Sequence, residues 1–182
     1  MRIAIHKLAL LRRRVGRSKS KLKDKTKKAD LLSNPITIYT DGSSRGNPGP
    51  GGFGAVMISG PHRKELSQGY KLTTNNRMEL LGAIVALESL KYENSQVTLY
   101  TDSKYVVDAI EKGWVFGWEK KNFVGKKNPD LWIRFLKVYR RHLVKFVWVK
   151  GHAENAENNV CDKLAVEASS KGNLLTDHGY LP

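Results

Sequence analysis

The chain writes nearly the same β-strand twice, and this repeat restricts the fold more than any other feature. Ile36-Thr37-Ile38-Tyr39-Thr40-Asp41 alternates with period two and ends on a carboxylate, and Val97-Thr98-Leu99-Tyr100-Thr101-Asp102 does the same. Such alternation of β-branched and aromatic residues marks a strand. In both copies the Asp follows the Tyr by two residues, so both acids stand in the same strand phase. Between the copies lie a turn-rich stretch from Gly42 to Gly52, candidate strands at Phe53–Ser59 and Glu65–Leu72, and a candidate helix at Asn75–Leu90. Gly60-Pro61 reads as the turn of an antiparallel hairpin. Leu80, Ala83, Ile84, Leu87 and Leu90 fall at helical spacing, with Thr74, Asn75 or Asn76 available as N-cap. If a helical crossover makes the two copies parallel neighbours, Asp41 and Asp102 emerge side by side at one sheet end. Open α/β sheets place their ligands at that end.

The second half of the chain alternates helix and strand. Ser103–Lys112 reads as a short helix, and Trp114–Lys127 as a basic, aromatic segment ending at a turn, Asn128-Pro129. Asp130–His142 reads as a helix with Leu131, Phe135, Val138 and Tyr139 on its apolar face. Val144–Val149 is a strand, Gly151–Asn155 a loop, and Glu157–Ser170 a last helix. Three strands followed by alternating helix and strand predict an α/β fold, a mixed sheet with helices on its faces.

Two carboxylates a few Å apart repel and raise the pKa of one of them. A divalent cation removes that penalty, and hard oxygen ligands suit magnesium or manganese. The pattern also leaves open two solvated acids, with Asp102-Ser103 capping the helix that follows.

Charge narrows the partner. The 182 residues hold 32 Lys and Arg against 17 Asp and Glu, a net charge of +15. That balance points to a polyanion, nucleic acid first. No apolar run approaches the roughly 20 residues of a membrane span. A single cysteine, Cys161, excludes an internal disulfide framework and a multi-cysteine zinc site; it reads as a small buried hydrophobe. Residues 1–34 carry 12 bases against two acids. They read as an extension outside a domain at 35–171, with 172–182 as a C-terminal tail. The extension suits a solubilising or spurious start, a nucleic-acid tether, or an organelle-targeting peptide.

Five separated segments carry a resemblance. Thr40-Asp41-Gly42-Ser43 followed by Gly46-Asn47-Pro48-Gly49-Pro50-Gly51-Gly52 is the first, and Thr74-Asn75-Asn76-Arg77-Met78-Glu79-Leu80 the second. Thr101-Asp102-Ser103 is the third, and Trp148-Val149-Lys150-Gly151-His152 the fourth. Asn158-Asn159-Val160-Cys161-Asp162-Lys163-Leu164-Ala165 is the fifth. In this order they resemble the motifs of the type 1 ribonuclease H family. The resemblance implies a five-stranded sheet of order 3-2-1-4-5, with strands 1–3 antiparallel and strands 4 and 5 parallel to strand 1. It implies hydrolysis of the RNA strand of RNA–DNA hybrids, leaving 5′-phosphate and 3′-hydroxyl ends. Asp41, Glu79, Asp102 and Asp162 would be the catalytic carboxylates and would hold two magnesium ions, with manganese as a substitute. His152 would be an auxiliary proton-transfer group.

By the same resemblance, Gly42, Ser43, Ser44, Asn47, Asn75 and Asn76 would read the 2′-hydroxyls of the RNA strand, and Thr74 would seat a DNA phosphate. Lys112–Lys127, with five Lys and one Glu, would grip the DNA strand through Trp114, Trp118, Lys120 and Lys121. Lys104 stands where a Gln is common, Ser44 where a Cys is frequent, and this basic handle is shorter than the longer bacterial versions. Without the resemblance, Glu79 also suits a capping acid reaching toward Asn76, Asp162 a helix-dipole partner, and the handle's aromatics a core. The expected protein is a monomer in the cytoplasm, with no membrane contact and an RNA–DNA hybrid as partner.

Overall fold

A computed structural model of the chain describes residues 35–151 and 155–181. Its strands are β1 (Ile36–Ser44), β2 (Gly49–Ser59), β3 (His62–Thr73), β4 (Gln96–Thr101) and β5 (Leu143–Trp148). Its helices are α1 (Asn75–Glu88), α2 (Lys104–Glu111), α3 (Trp114–Lys120), α4 (Pro129–Tyr139) and α5 (Ala156–Ser170). One sheet runs in the order β3-β2-β1-β4-β5. β1 to β3 are antiparallel, and β4 and β5 run parallel to β1. The fold is therefore the expected one. The repeated strands lie side by side in parallel register, Tyr39 opposite Tyr100 and Thr40 opposite Thr101. The two tyrosine rings stack at 4.9 Å.

The Gly42–Gly52 stretch is mostly strand. β1 continues to Ser44 and β2 begins at Gly49, so the reversal is confined to Arg45–Pro48. Glycine permits this because helices press on the strand backbones from both sides. A Cβ on Gly54 would stand 2.1 Å from the carbonyl oxygen of Cys161 in α5, and one on Gly42 would stand 2.2 Å from the amide nitrogen of Glu79 in α1. Both are far inside van der Waals contact, so a side chain at either position would push a helix off the sheet.

The main core lies between the sheet and α1, α2 and α4. Ile38, Phe53 and Leu99 from the strands meet Leu80, Ile84, Leu87, Trp132 and Phe135. α1 stops at Glu88, capped at Ser89, so Leu90 packs beyond the helix rather than within it. In the Trp114–Lys127 segment only Trp114–Lys120 is helical. Residues beyond α5 are tied back onto the sheet. Leu175 bridges Tyr70, and its amide donates to the carbonyl of Gly69 at 2.9 Å. Among the described residues no helix is long and apolar enough to cross a membrane. The 1–34 extension lies outside the described residues.

Candidate active site

The parallel pairing of β1 with β4 delivers two acids to one sheet end. Asp41 is in β1, one residue beyond Thr40, and Asp102 directly follows Thr101 of β4. Glu79 joins them from the second turn of α1, which the missing side chain of Gly42 lets approach β1. Asp162 comes from α5 on the opposite side. Asp41 is 7 % exposed, and its Oδ1 accepts the Gly42 amide at 2.7 Å. Burial first, then the nearby charge of Asp102 and the fields of Asp162 and Glu79, push its carboxyl up to about 8 against the Gly42 hydrogen bond. Glu79 is also raised, by burial and by Asp102.

Hydrogen bonds hold Glu79 in this company. Asn75 Nδ2 donates to its Oε1 at 2.7 Å, and Ser103 Oγ donates to its Oε2 at 2.5 Å. Ser103 also caps α2, accepting from the Val106 amide at 3.3 Å. Ser103 is thus the N-cap residue of α2, and Glu79 reaches Asn75 rather than Asn76. Asp102 is fixed from β5: Trp148 Nε1 donates to its carbonyl at 3.0 Å. A Cβ on Gly151 would stand 2.4 Å from Asp102 Oδ2, so a side chain there would displace the carboxylate. His152 lies outside the described residues.

Among the described residues no group of three or more acidic, histidine or cysteine side chains is already drawn into an ion-gripping cluster. The donors are hard carboxylate oxygens, which suit magnesium or manganese better than softer metals.

The expected substrate residues fall into two groups. Around the carboxylates, Gly42 and Ser43 continue β1, and Ser44 Oγ donates to the Gly46 carbonyl at 2.5 Å. Asn47 Oδ1 accepts the Asn75 amide at 3.2 Å, joining the β1–β2 turn to the start of α1. Asn47, Thr74 and Asn76 share the lining of a cavity of about 660 Å³. The second group surrounds α3. Trp114 is 47 % exposed with Lys112 Nζ over its ring at 4.8 Å. Trp118 carries Lys126 on its face but packs edge-on against buried Trp132, so it serves the core as well. Lys120 and Lys121 are exposed at the end of α3. Lys104 lies over Trp148 at 5.0 Å, beside the carboxylates.

The sequence profile of the RNase H family matches residues 33–170. The chain belongs to the RNase H family. It is 55 % identical over 150 residues to the Ribonuclease H of Trichodesmium erythraeum, covering 80 % of this chain and 95 % of that protein. Its fold is similar to that of LC9-RNase H1, described as a type 1 RNase H with the type 2 active-site motif, at a TM-score of 0.68 and 31 % identity over 75 % of this chain and 72 % of the other. It is also similar to LC11-RNase H1, solved in complex with an RNA/DNA hybrid, at 0.56 and 29 % over 73 % and 95 %. This chain is a type 1 ribonuclease H.

Several residues that shape this ribonuclease H escape sequence reasoning. Ser103 and Trp148 hold Glu79 and Asp102 from other elements, and neither carries a local pattern announcing a partner. Arg77 is 1 % exposed. Its guanidinium binds Asp130 of α4 at 2.6 and 2.9 Å and Asp177 at 2.7 and 2.8 Å. A cation just before the apolar stripe of α1 is the available signal, but its two acids come from distant segments.

Proposed function

We propose that this ribonuclease H is an endonuclease that hydrolyses the RNA strand of RNA–DNA hybrids, leaving 5′-phosphate and 3′-hydroxyl ends. The observation that carries the reading is the buried Asp41 carboxyl, raised to about 8 by burial and by the fields of Asp102, Asp162 and Glu79. Acids kept together against their repulsion, in a protein of net charge +15, suit a site that takes up positive charge. Asp41, Glu79, Asp102 and Asp162 would hold two magnesium ions, with manganese as a substitute. Such ions, when bound, supply Lewis acidity toward the attacking water and the departing 3′-oxygen. Asp41 would serve that site as a carboxylate, its Oδ1 oriented by the Gly42 amide. Asn75 and Ser103 keep both oxygens of Glu79 oriented. His152 acts as the auxiliary proton carrier, a role common to histidine side chains.

Strand choice is assigned to neutral polar groups. Gly42, Ser43, Ser44, Asn47, Asn75 and Asn76 read 2′-hydroxyls, which only the RNA strand offers. Thr74 seats a DNA phosphate, and Lys104, Trp114, Trp118, Lys120 and Lys121 hold the backbone by charge and ring packing. The enzyme works as a monomer in the cytoplasm, away from membranes.

The test is cleavage of an end-labelled hybrid with magnesium, beside duplex DNA, duplex RNA and single-stranded RNA of the same sequence. Selective cutting of the hybrid's RNA strand is expected. Equal cutting of all four, or an intact hybrid, overturns the proposal. Asp41→Asn should abolish turnover while hybrid binding persists; near wild-type turnover would remove Asp41 from the chemistry.

A further inference from the structure

The fourth sequence motif begins with Trp148, a residue with no part in the chemistry proposed above. β5 pairs with β4 as far as Trp148 opposite Thr101, and the Val149 amide adds one more rung by donating to the Thr101 carbonyl at 3.0 Å. The next peptide, between Asp102 and Ser103, lies beyond the end of β4. Side chains hold it at both ends. Its carbonyl accepts from Trp148 Nε1 at 3.0 Å, and its amide donates to Thr101 Oγ1 at 3.2 Å. A peptide unit is planar, so hydrogen bonds on its two opposite edges fix how the whole unit is turned.

The orientation of that peptide governs two of the four acids. Asp102 stands on one side of it. Ser103 stands on the other, where its hydroxyl donates to Glu79 Oε2 at 2.5 Å and accepts from the Val106 amide at 3.3 Å. A rotation of the peptide would turn the Asp102 carboxylate and draw Ser103 from Glu79 in one movement. The amide end is secured by Thr101, which is 1 % exposed within the sheet. The carbonyl end lies nearer the surface and depends on where the indole sits, since Trp148 is 43 % exposed. The ring has its own support: Lys104, the first residue of α2, places its Nζ 5.0 Å from the ring centre. An indole carries one donor and no acceptor, and this one gives its only polar hydrogen to the Asp102 carbonyl.

We infer that Trp148 is a positioning residue for the hydrolysis: its indole N–H fixes the Asp102–Ser103 peptide and so aims the Asp102 carboxylate and the Ser103–Glu79 bond into the site. This rests on the reading that Asp102 and Glu79 hold the metal ions. Trp148 acts through the backbone of Asp102, as outer partners of metal ligands do when they set the direction of a ligand.

The experiment removes the N–H and keeps a ring in place. Benzothienylalanine introduced at position 148 of the full-length protein puts sulfur where the indole has its nitrogen, and Trp148→Phe is the genetic counterpart. Cleavage of the hybrid with magnesium gives kcat and KM, and calorimetry gives manganese binding without nucleic acid. Both variants are expected to lower kcat about tenfold with KM within about twofold, and to weaken manganese binding about tenfold. A ring that served packing alone would leave the benzothienylalanine protein unchanged, because its shape and its face toward Lys104 are kept. Melting temperatures show that each variant is folded, and the benzothienylalanine protein carries the test if Trp148→Phe is not. Unchanged kcat and manganese affinity in that protein would overturn the inference. A raised KM with kcat and manganese binding constant would overturn it too, by making the ring a substrate contact. Asp102→Asn is measured alongside: if it keeps full turnover and manganese binding, the underlying reading of the metal ligands is refuted instead.

Discussion

Replacing Asp41 by Asn should stabilise the metal-free protein while ending catalysis. The carboxyl ordinarily titrates at 3.8, and in the fold it is raised to about 8 by burial and then by neighbouring acids. The folded chain therefore holds a proton that the unfolded chain releases between these values. Stability is full below pH 3.8 and is lost progressively as pH rises toward 8. At pH 7 most of that interval has been crossed, and each pH unit costs about 1.4 kcal/mol, so the carboxyl costs up to about 4 kcal/mol. Small movements of the other acids relieve part of this. We expect Asp41→Asn to gain roughly 2–4 kcal/mol in chelator at pH 7, or roughly 6–12 °C in melting temperature for a domain of this size. Urea unfolding at pH 5, 7 and 9 reads the effect directly, and the gain should grow from pH 5 to pH 9. Magnesium should then stabilise the unsubstituted protein more than the variant, because a ligand that binds only the native state adds stability. An Asn variant that is no more stable than its parent at pH 7 in chelator would refute the electrostatic reasoning.

Three further outcomes follow from the same physics. Arg77→Met should cost about 3–5 kcal/mol in urea unfolding, because it strands Asp177, which is 8 % exposed, without its counter-charge; adding Asp177→Asn should recover part of the loss, and no recovery would refute the pairing. His142 is buried with both ring nitrogens lacking a partner, and its pKa is lowered by burial and by Arg141. The unfolded chain takes up a proton near pH 6.5 that the fold resists, so stability should fall as pH drops below 6.5, and His142→Leu should flatten that slope; equal slopes would contradict it. Deleting residues 1–33 should weaken hybrid binding and reduce its salt dependence, since this segment holds 12 bases; an unchanged slope would leave the tether reading without support.

What the sequence determined by itself is the pattern that depends on neighbours in the chain. Period-two alternation at 36–41 and 97–102 marked both acidic strands, and helical spacing after Thr74 marked α1. Strand phase put Asp41 and Asp102 at equivalent positions, and the motif order pointed to the family and the remaining acids. By sequence alone Gly42–Gly52 reads as turn because glycine's local preference is for reversals, whereas most of it is strand. Only the packed helices show that these glycines let α1 and α5 touch strand backbone. Tertiary structure also decided what surrounds the acids. Ser103 on Glu79, Trp148 on the Asp102 carbonyl, and Asp130 with Asp177 on Arg77 join segments far apart in sequence. The raised carboxyl of Asp41 belongs to the same class. Burial and three convergent charges set it, and these exist only once β1, β4, α1 and α5 have assembled.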